Sequence, residues 1–288
     1  LIIRKMKILI LGSTGVLGKN LFLYLSKKKN LQLFFISRRK KIKSNLYLKN
    51  FSNFNKLGKL ILKRKPTHIV NCLGVTHFNK SYNKKKETIN INTKLPKFLS
   101  KFSLKYKIYF VHISTDCVFS GAKGNYKENS TKDATDLYGF TKGKGEVKNS
   151  YSSTLRTSFI GPETKTHKSL LNWFLKQKKD VNGFSNAFFS GLTSLELSKI
   201  IYFFFLKEHF FYNRIVNISG KKISKYLLLK KISKIFNKRI KIKKFSNFKI
   251  DRSLNNSLFL KKTNYTVKFW PKMLKELKIF MIKNNYKF

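Results

Sequence analysis

Tyr138 and Lys142 stand four residues apart in Tyr138-Gly139-Phe140-Thr141-Lys142, a spacing that puts a phenol and an ammonium on one face of a helix. A phenol with an ordinary pKa of about 10 is a poor proton donor at neutral pH until a nearby cation stabilises its phenolate, and Lys142 is placed to supply that charge. Both residue types are abundant in this chain, so the pair takes its meaning from its position. It follows a strand that runs into His112-Ile113-Ser114-Thr115-Asp116-Cys117-Val118-Phe119-Ser120-Gly121. Open parallel sheets present ligands at the carboxyl ends of their strands, where the Thr115 hydroxyl can meet that of Tyr138 over one carbonyl oxygen. A general acid, an adjacent cation and a second hydrogen-bond donor are what reduction of a ketone needs.

A second group of residues points to the reductant. Gly12-Ser13-Thr14-Gly15-Val16-Leu17-Gly18 lies between an apolar strand and a helix, where missing side chains let the backbone turn tightly and approach a pyrophosphate at the helix N-terminus. At the end of the second strand an acid would accept the 2′-hydroxyl of an NAD ribose. This chain has Ser37-Arg38-Arg39-Lys40, which suits a 2′-phosphate, so NADP(H) is favoured and NAD(H) is the alternative. The two cysteines, Cys72 and Cys117, form no Cys-x-x-Cys pair, and the five histidines are scattered. Neither a disulfide framework nor a metal centre is expected.

The elements that must position these groups fit a chain of 288 residues, 42% hydrophobic, with no apolar stretch long enough to span a membrane. Strands are expected over Met6–Leu11, Leu31–Ile36, Ile69–Cys72 and Ile108–Ile113, with a fifth beginning at Thr154. Between them come helices to about Ser26, over Thr88–Phe102 with an interruption at Pro96, and over Tyr138–Val147. This alternation predicts a doubly wound parallel sheet in an α/β fold. Further on, Thr193-Ser194-Leu195-Glu196 has the spacing of a capping box and should open a helix to about Leu206. A strand at Ile215–Ile218, a helix at Ser224–Ile235, a short strand at Ile240–Ile242 and a helix near Pro271–Ile282 follow. No linker separates two units, so residues 1–160, with return segments near 190–218, are expected to form the dinucleotide-binding domain. Residues 161–288 should then supply mainly an interleaved substrate lobe.

The formal net charge of +51 invites a nucleic-acid reading. Lysines, however, occur in nearly every segment beside abundant Asn, Ile, Phe and Tyr, the bias of a coding sequence drifting towards A and T, so no specific nucleic-acid partner is expected. Of the twelve acids, Asp116, Glu128, Asp133, Asp136 and Glu146 fall within 31 positions, which hints at work for those carboxylates beyond helix capping.

Taken in order, the glycine motif, Ser114 to Gly121, Tyr126-Lys127-Glu128, Tyr138 to Lys142 and Gly145-Glu146 resemble the extended short-chain dehydrogenase/reductases. Within them the chain is most similar to the dTDP-4-dehydrorhamnose reductase-like group of sugar-nucleotide reductases. The likeness continues through Asn71-Cys72-Leu73-Gly74, Asn92-x-x-x-Pro96, Leu155-Arg156-Thr157-Ser158 and Asp251-Arg252-Ser253-Leu254. The resemblance implies a Rossmann-type sheet, a cytoplasmic enzyme of polysaccharide precursor synthesis, a nucleotide-sugar substrate and a homodimer as a candidate assembly. It implies that Tyr138 protonates the nascent alkoxide, that Thr115 holds the same oxygen, and that Lys142 binds the nicotinamide ribose while lowering the tyrosine pKa. Gly12, Thr14, Gly15, Val16, Leu17, Gly18, Arg38, Arg39, Cys72, Leu73, Gly74, Asn92 and Ser114 would complete the cofactor site. Asp116, Cys117, Val118 and Phe119 would face the substrate, and Arg252 its diphosphate. Related dehydratases carry Thr-Asp-Glu where this chain has Thr115-Asp116-Cys117, so dehydration is disfavoured; epimerisation and a non-catalytic nucleotide-binding role remain as alternatives.

Overall fold

The computed structural model describes residues 6–38, 45–76, 84–163, 169–206 and 213–287. The apolar runs become parallel strands: β1 (Met6–Leu11), β2 (Leu31–Ser37), β3 (Asn45–Tyr47), β4 (His68–Asn71), β5 (Tyr109–Thr115) and β6 (Ser152–Thr157). Strands β7 (Phe159–Ile160), β8 (Val181–Phe184), β9 (Ala187–Phe189) and β10 (Leu192–Thr193) come next, before β11 (Ile215–Ile218) returns to the main sheet. That sheet has seven strands in the order β3-β2-β1-β4-β5-β6-β11.

Both of its faces are covered, and β1 shows why its residues from Ile8 to Leu11 are all apolar. Side chains alternate across a strand. Ile8 and Ile10 accordingly enter one core, with Leu17 and Leu21 of α1 (Val16–Leu25). Leu9 and Leu11 enter the opposite core, with Leu57 and Ile61 of α2 (Phe54–Arg64). Chain order runs outward from β1 in both directions, so a crevice opens at the carboxyl ends of β1 and β4, where a doubly wound sheet binds its ligands.

In the first half of the chain, two elements go beyond the sequence expectations. The edge strand β3 is three residues long, too short for a periodic pattern, and α2 is carried by apolar residues at 54, 57 and 61 behind an Asn53 cap whose Oδ1 accepts from Lys56 N at 3.0 Å. The stretch around Pro96 is also continuous: α3 (Lys85–Ile89) passes through a π-type turn at Asn90–Lys94 into α4 (Leu95–Tyr106). Pro96 sits in the first turn of α4, directly after the π-type turn. α5 (Leu137–Lys144) then bridges β5 and β6.

The remaining chain adds α6 (Leu170–Lys176), α7 (Ser194–Leu206), β12 (Ile223–Ser224), α8 (Lys225–Phe236), β13 (Ile242–Phe245), β14 (Ile250–Asp251), α9 (Ser257–Thr263) and α10 (Trp270–Lys283). A small sheet in the order β12-β9-β14 and the pair β13-β8 stand apart from the main sheet. Trp270 is core, with Nε1 donating to Lys221 O at 2.9 Å. No helix of the described residues is long and apolar enough to cross a membrane.

Candidate active site

The glycine turn closes over the end of β4. Gly12 has φ +85°, and a Cβ there would lie 2.9 Å from the carbonyl carbon of Cys72; a Cβ on Gly18 would lie 2.2 Å from Gly12 O. Only glycine fits such approaches. Gly15 is the N-cap of α1 and brings no side chain to its first amides, while Thr14 and Gly15 are exposed and Leu17 and Gly18 are buried against the sheet. The Ser13 hydroxyl beside them is buried without a hydrogen-bond partner. An uncapped helix start, a cradle that side chains would fill and an orphaned hydroxyl together fit a dinucleotide diphosphate.

Arg38 follows β2 directly and is exposed; Arg39 lies outside the described residues. Across the crevice, Cys72, Leu73 and Gly74 leave β4, and Asn71 Oδ1 holds Leu73 N at 3.1 Å. Asn92 is fully buried. Its Oδ1 accepts from Val75 N (2.8 Å) and its Nδ2 donates to Val75 O (2.9 Å) and Thr141 Oγ1 (3.1 Å), so its amide shapes this wall by tying it to α5.

The proposed chemical groups gather where β5 ends and α5 begins. Asp136 caps α5 by accepting from Gly139 N at 2.9 Å, which orients the first turn carrying Tyr138. Thr115 Oγ1 accepts from Cys117 N (3.1 Å) and donates to Asp116 Oδ1 (3.2 Å). Burial raises the Tyr138 pKa well above its ordinary value, Cys117, Asp116 and Asp136 push the same way, and a hydrogen bond with Thr115 opposes them. The phenol therefore keeps its proton at neutral pH and is a weak donor in the protein alone.

Lys142 is buried, with Nζ donating to Ile113 O at 2.6 Å and facing His112 Nε2 at 3.4 Å. Burial brings its pKa down to about 8, against the opposing pull of Glu146 and Cys72. The expectation that Lys142 lowers the tyrosine pKa is thus corrected for the protein alone: the ammonium is turned to Ile113 O, and burial governs the phenol. An ammonium has three donors, which leaves at least one for a ligand.

On the side of the small sheet, Arg252 Nε donates to Phe119 O (3.0 Å) and its Nη1 approaches Cys117 Sγ (3.5 Å). The Asp116 carboxyl is raised by burial and held down by Lys225 and Arg252. The Cys117 thiol is pushed up to about 12, first by burial and then by Asp116, so it is neutral. Val118 and Phe119 do not reach the crevice, a second correction. Both are 0% exposed, in a small core with Tyr126 and Leu254, and the Phe119 ring stacks on Tyr126 at 4.1 Å. The segment 181–192 supplies β8, β9 and β10.

Sequence reasoning did not single out Lys225, the first residue of α8, whose Nζ lies 3.8 Å from the centre of the Phe189 ring. In a chain so rich in lysine no local signal distinguishes it. It also left the acids of 116–146 without partners. Arg156, buried in β6, holds Glu146 with two bonds, Nε to Oε1 (2.9 Å) and Nη2 to Oε2 (2.8 Å), while Ser114 Oγ donates to Oε1 (2.9 Å). Glu128 Oε1 accepts from Asn217 N (3.0 Å) and Asp133 accepts from Ser120 N (2.8 Å). Two open clefts elsewhere, one beside Ser219 and Phe269 and one between α8 and α10, contain none of the site residues. Among the described residues no His, Cys, Asp and Glu cluster could hold a metal ion.

Comparison with known proteins agrees with this geometry. A dTDP-4-dehydrorhamnose reductase of Aggregatibacter actinomycetemcomitans is 26% identical over 141 residues, 49% of this chain and 45% of that protein, so the match spans less than half of the relative's length. The crystal structure of a hypothetical dTDP-4-dehydrorhamnose reductase from Sulfolobus tokodaii superposes with a TM-score of 0.77 at 26% identity, over 92% of this chain and 98% of the other. The Bacillus anthracis dTDP-4-dehydrorhamnose reductase in complex with NADP shares the fold, with a TM-score of 0.80 at 17% identity over 96% and 99% of the two chains. The model of the RmlD substrate binding domain family matches residues 6–180, and the chain belongs to that family.

Proposed function

We propose that this protein is a sugar-nucleotide ketoreductase that uses NADPH to reduce a nucleotide-linked 4-keto sugar for polysaccharide synthesis in the cytoplasm. The observation that carries this reading is the meeting of the end of β5, which carries Thr115, with α5, which carries Tyr138 and Lys142 and sets Lys142 Nζ on Ile113 O at 2.6 Å, beside the crevice framed by the glycine turn. NADPH, when bound, supplies the hydride. The Gly12–Gly18 turn and the uncapped start of α1 would hold its diphosphate, Arg38 its 2′-phosphate, and Lys142 its nicotinamide ribose; the residues after β4 and Ser114 would line the ring. Arg38 in place of an acid, and the NADP complex of the Bacillus anthracis relative, both favour NADP(H).

For the proton, Tyr138 is the general acid: its phenol keeps the proton at neutral pH and gives it to the carbonyl oxygen as negative charge grows there. Thr115 donates to the same oxygen, its one hydroxyl proton turning to it from Asp116 Oδ1. With the cofactor bound, the Lys142 ammonium would turn from Ile113 O to steady the phenolate left behind. Dehydration would need a further acid and base, and this chain has Cys117 where related dehydratases carry a glutamate. Residues 161–288 act mainly as the substrate lobe, with Asp116 and Cys117 at its boundary and Arg252 near the substrate diphosphate.

The test is incubation of purified protein and NADPH with a panel of nucleotide-linked 4-keto sugars, following absorbance of the reduced cofactor. Stoichiometric consumption with at least one sugar, lost in Tyr138→Phe, is expected. No consumption with any sugar, together with no effect of Tyr138→Phe in any assay, overturns the reading; turnover without net cofactor consumption would mark an epimerase instead.

A further inference from the structure

Lys142 is met by a nitrogen where an acceptor would be expected. His112 lies fully buried in β5, with Nε2 3.4 Å from Lys142 Nζ and Nδ1 3.2 Å from Asn71 Nδ2 in the neighbouring strand β4. Asn71 has no freedom to reverse its amide, because its Oδ1 accepts from Leu73 N at 3.1 Å. Its NH2 therefore points at His112 and donates to Nδ1. A neutral imidazole accepting at Nδ1 carries its proton on Nε2, and that N–H is aimed at Lys142. An ammonium has no lone pair to receive it, whereas an amine has one.

We propose that Asn71 and His112 are positioning residues that set the charge of Lys142: Asn71 locks the imidazole in its Nε2–H tautomer, and that N–H favours the amine over the ammonium. The remaining neighbours divide. Ile113 O, from β5, takes a donor at 2.6 Å and favours the ammonium. Glu146, just beyond α5, does the same at longer range, though much of its charge is spent on Arg156 and on Lys132 at 3.2 Å. Cys72, at the end of β4, is a neutral thiol pushed up to about 12 by burial, and Tyr138 on the same helix keeps its proton. His112 itself stays neutral, driven far below its ordinary pKa by burial and by the Lys142 charge. The lysine that would hold the nicotinamide ribose and steady the Tyr138 phenolate is thereby poised near the working pH.

The proposal rests on the reading of Lys142 as a cofactor-binding group, but its test needs neither sugar nor cofactor. Lysine side chains are isotope-labelled and titrated by NMR, and the Lys142 signal is assigned by its loss in Lys142→Arg. The wild-type midpoint is expected at about 8. His112→Phe keeps a buried ring and removes the opposing N–H. Asn71→Asp keeps the size of the side chain, accepts from His112 Nδ1 and turns the Nε2 lone pair towards Nζ. Each should shift the ammonium-to-amine equilibrium towards the ammonium, by roughly tenfold in Asn71→Asp, which is one pH unit in the midpoint. A midpoint unmoved or lowered in both variants overturns the proposal. A parallel pH series of NADPH binding separates the two ideas: binding that weakens above about pH 8 in the wild type and persists to higher pH in the variants joins them. If NADPH does not bind at all, the functional reading falls while the titration result stands.

Discussion

Around Glu146, a carboxylate taken out of water is met by a two-pronged guanidinium from Arg156, a hydroxyl from Ser114 and the Lys132 ammonium. Burial alone would raise its pKa; these partners prevail and hold it below the ordinary carboxylate value. Replacing one member of such a pair leaves the other charge buried and alone, so Glu146→Gln should cost about 3–5 kcal/mol in chemical denaturation. The sign with pH follows. A depressed folded-state pKa contributes stability above the unfolded value, about 4.3, and loses it as pH falls through the folded value. The gap between wild type and Glu146→Gln should therefore narrow on acidification; a constant gap would mean that the carboxylate charge is not what stabilises. The acid at Tyr138 behaves differently, since it works by giving up a proton. Tyr138→Phe should lower kcat by about a hundredfold to ten-thousandfold while NADPH binding changes little, measured by steady-state turnover beside fluorescence titration.

For the elements, the cofactor site depends on how closely a turn and a helix start can approach the neighbouring strand. A methyl group on Gly18 would meet Gly12 O at 2.2 Å, and backbone cannot yield as a flexible side chain can. Gly18→Ala should therefore open the turn, destabilise the protein by roughly 1–3 kcal/mol and abolish NADPH binding, read by thermal melting and by fluorescence titration. At the end of β2, Arg38 is exposed and free to meet a 2′-phosphate. Arg38→Ala should weaken NADPH roughly tenfold or more and leave NADH nearly unchanged. An equal loss for both cofactors would remove the phosphate-recognition role. Both devices were legible from the sequence because each lies within a few residues of a strand end: a six-residue strand whose last four residues are buried and apolar, then glycines, and a seven-residue strand ending in Ser37 with Arg38 next. The edge strand β3 was not legible, for three residues cannot display a period.

Over the whole molecule, a net charge of +51 should hold polyanions at low ionic strength without choosing among their sequences. Binding to duplex DNA is expected to be sequence-independent and to fall steeply between about 50 and 200 mM salt; retention at the higher salt, or a sequence preference, would point to a built nucleic-acid surface. The same background of lysines explains what could be read and what could not. The primary structure alone determined the alternation of the longer strands and helices in the first half of the chain, the glycine turn, and the shared helix face of Tyr138 and Lys142, because these depend on neighbours within a turn or a strand. The tertiary structure alone decided what those groups meet. Register between β5 and β6 sets Ser114 opposite Arg156 and so brings both to Glu146. Register between β4 and β5 sets Asn71 opposite His112, and α5 then lays Lys142 against that pair. Lys225 likewise gains its place near Asp116 only when β12 lies beside β9. Pairings between distant segments follow from which strands become neighbours, and in a chain with so many cations no single lysine or arginine announces its partner.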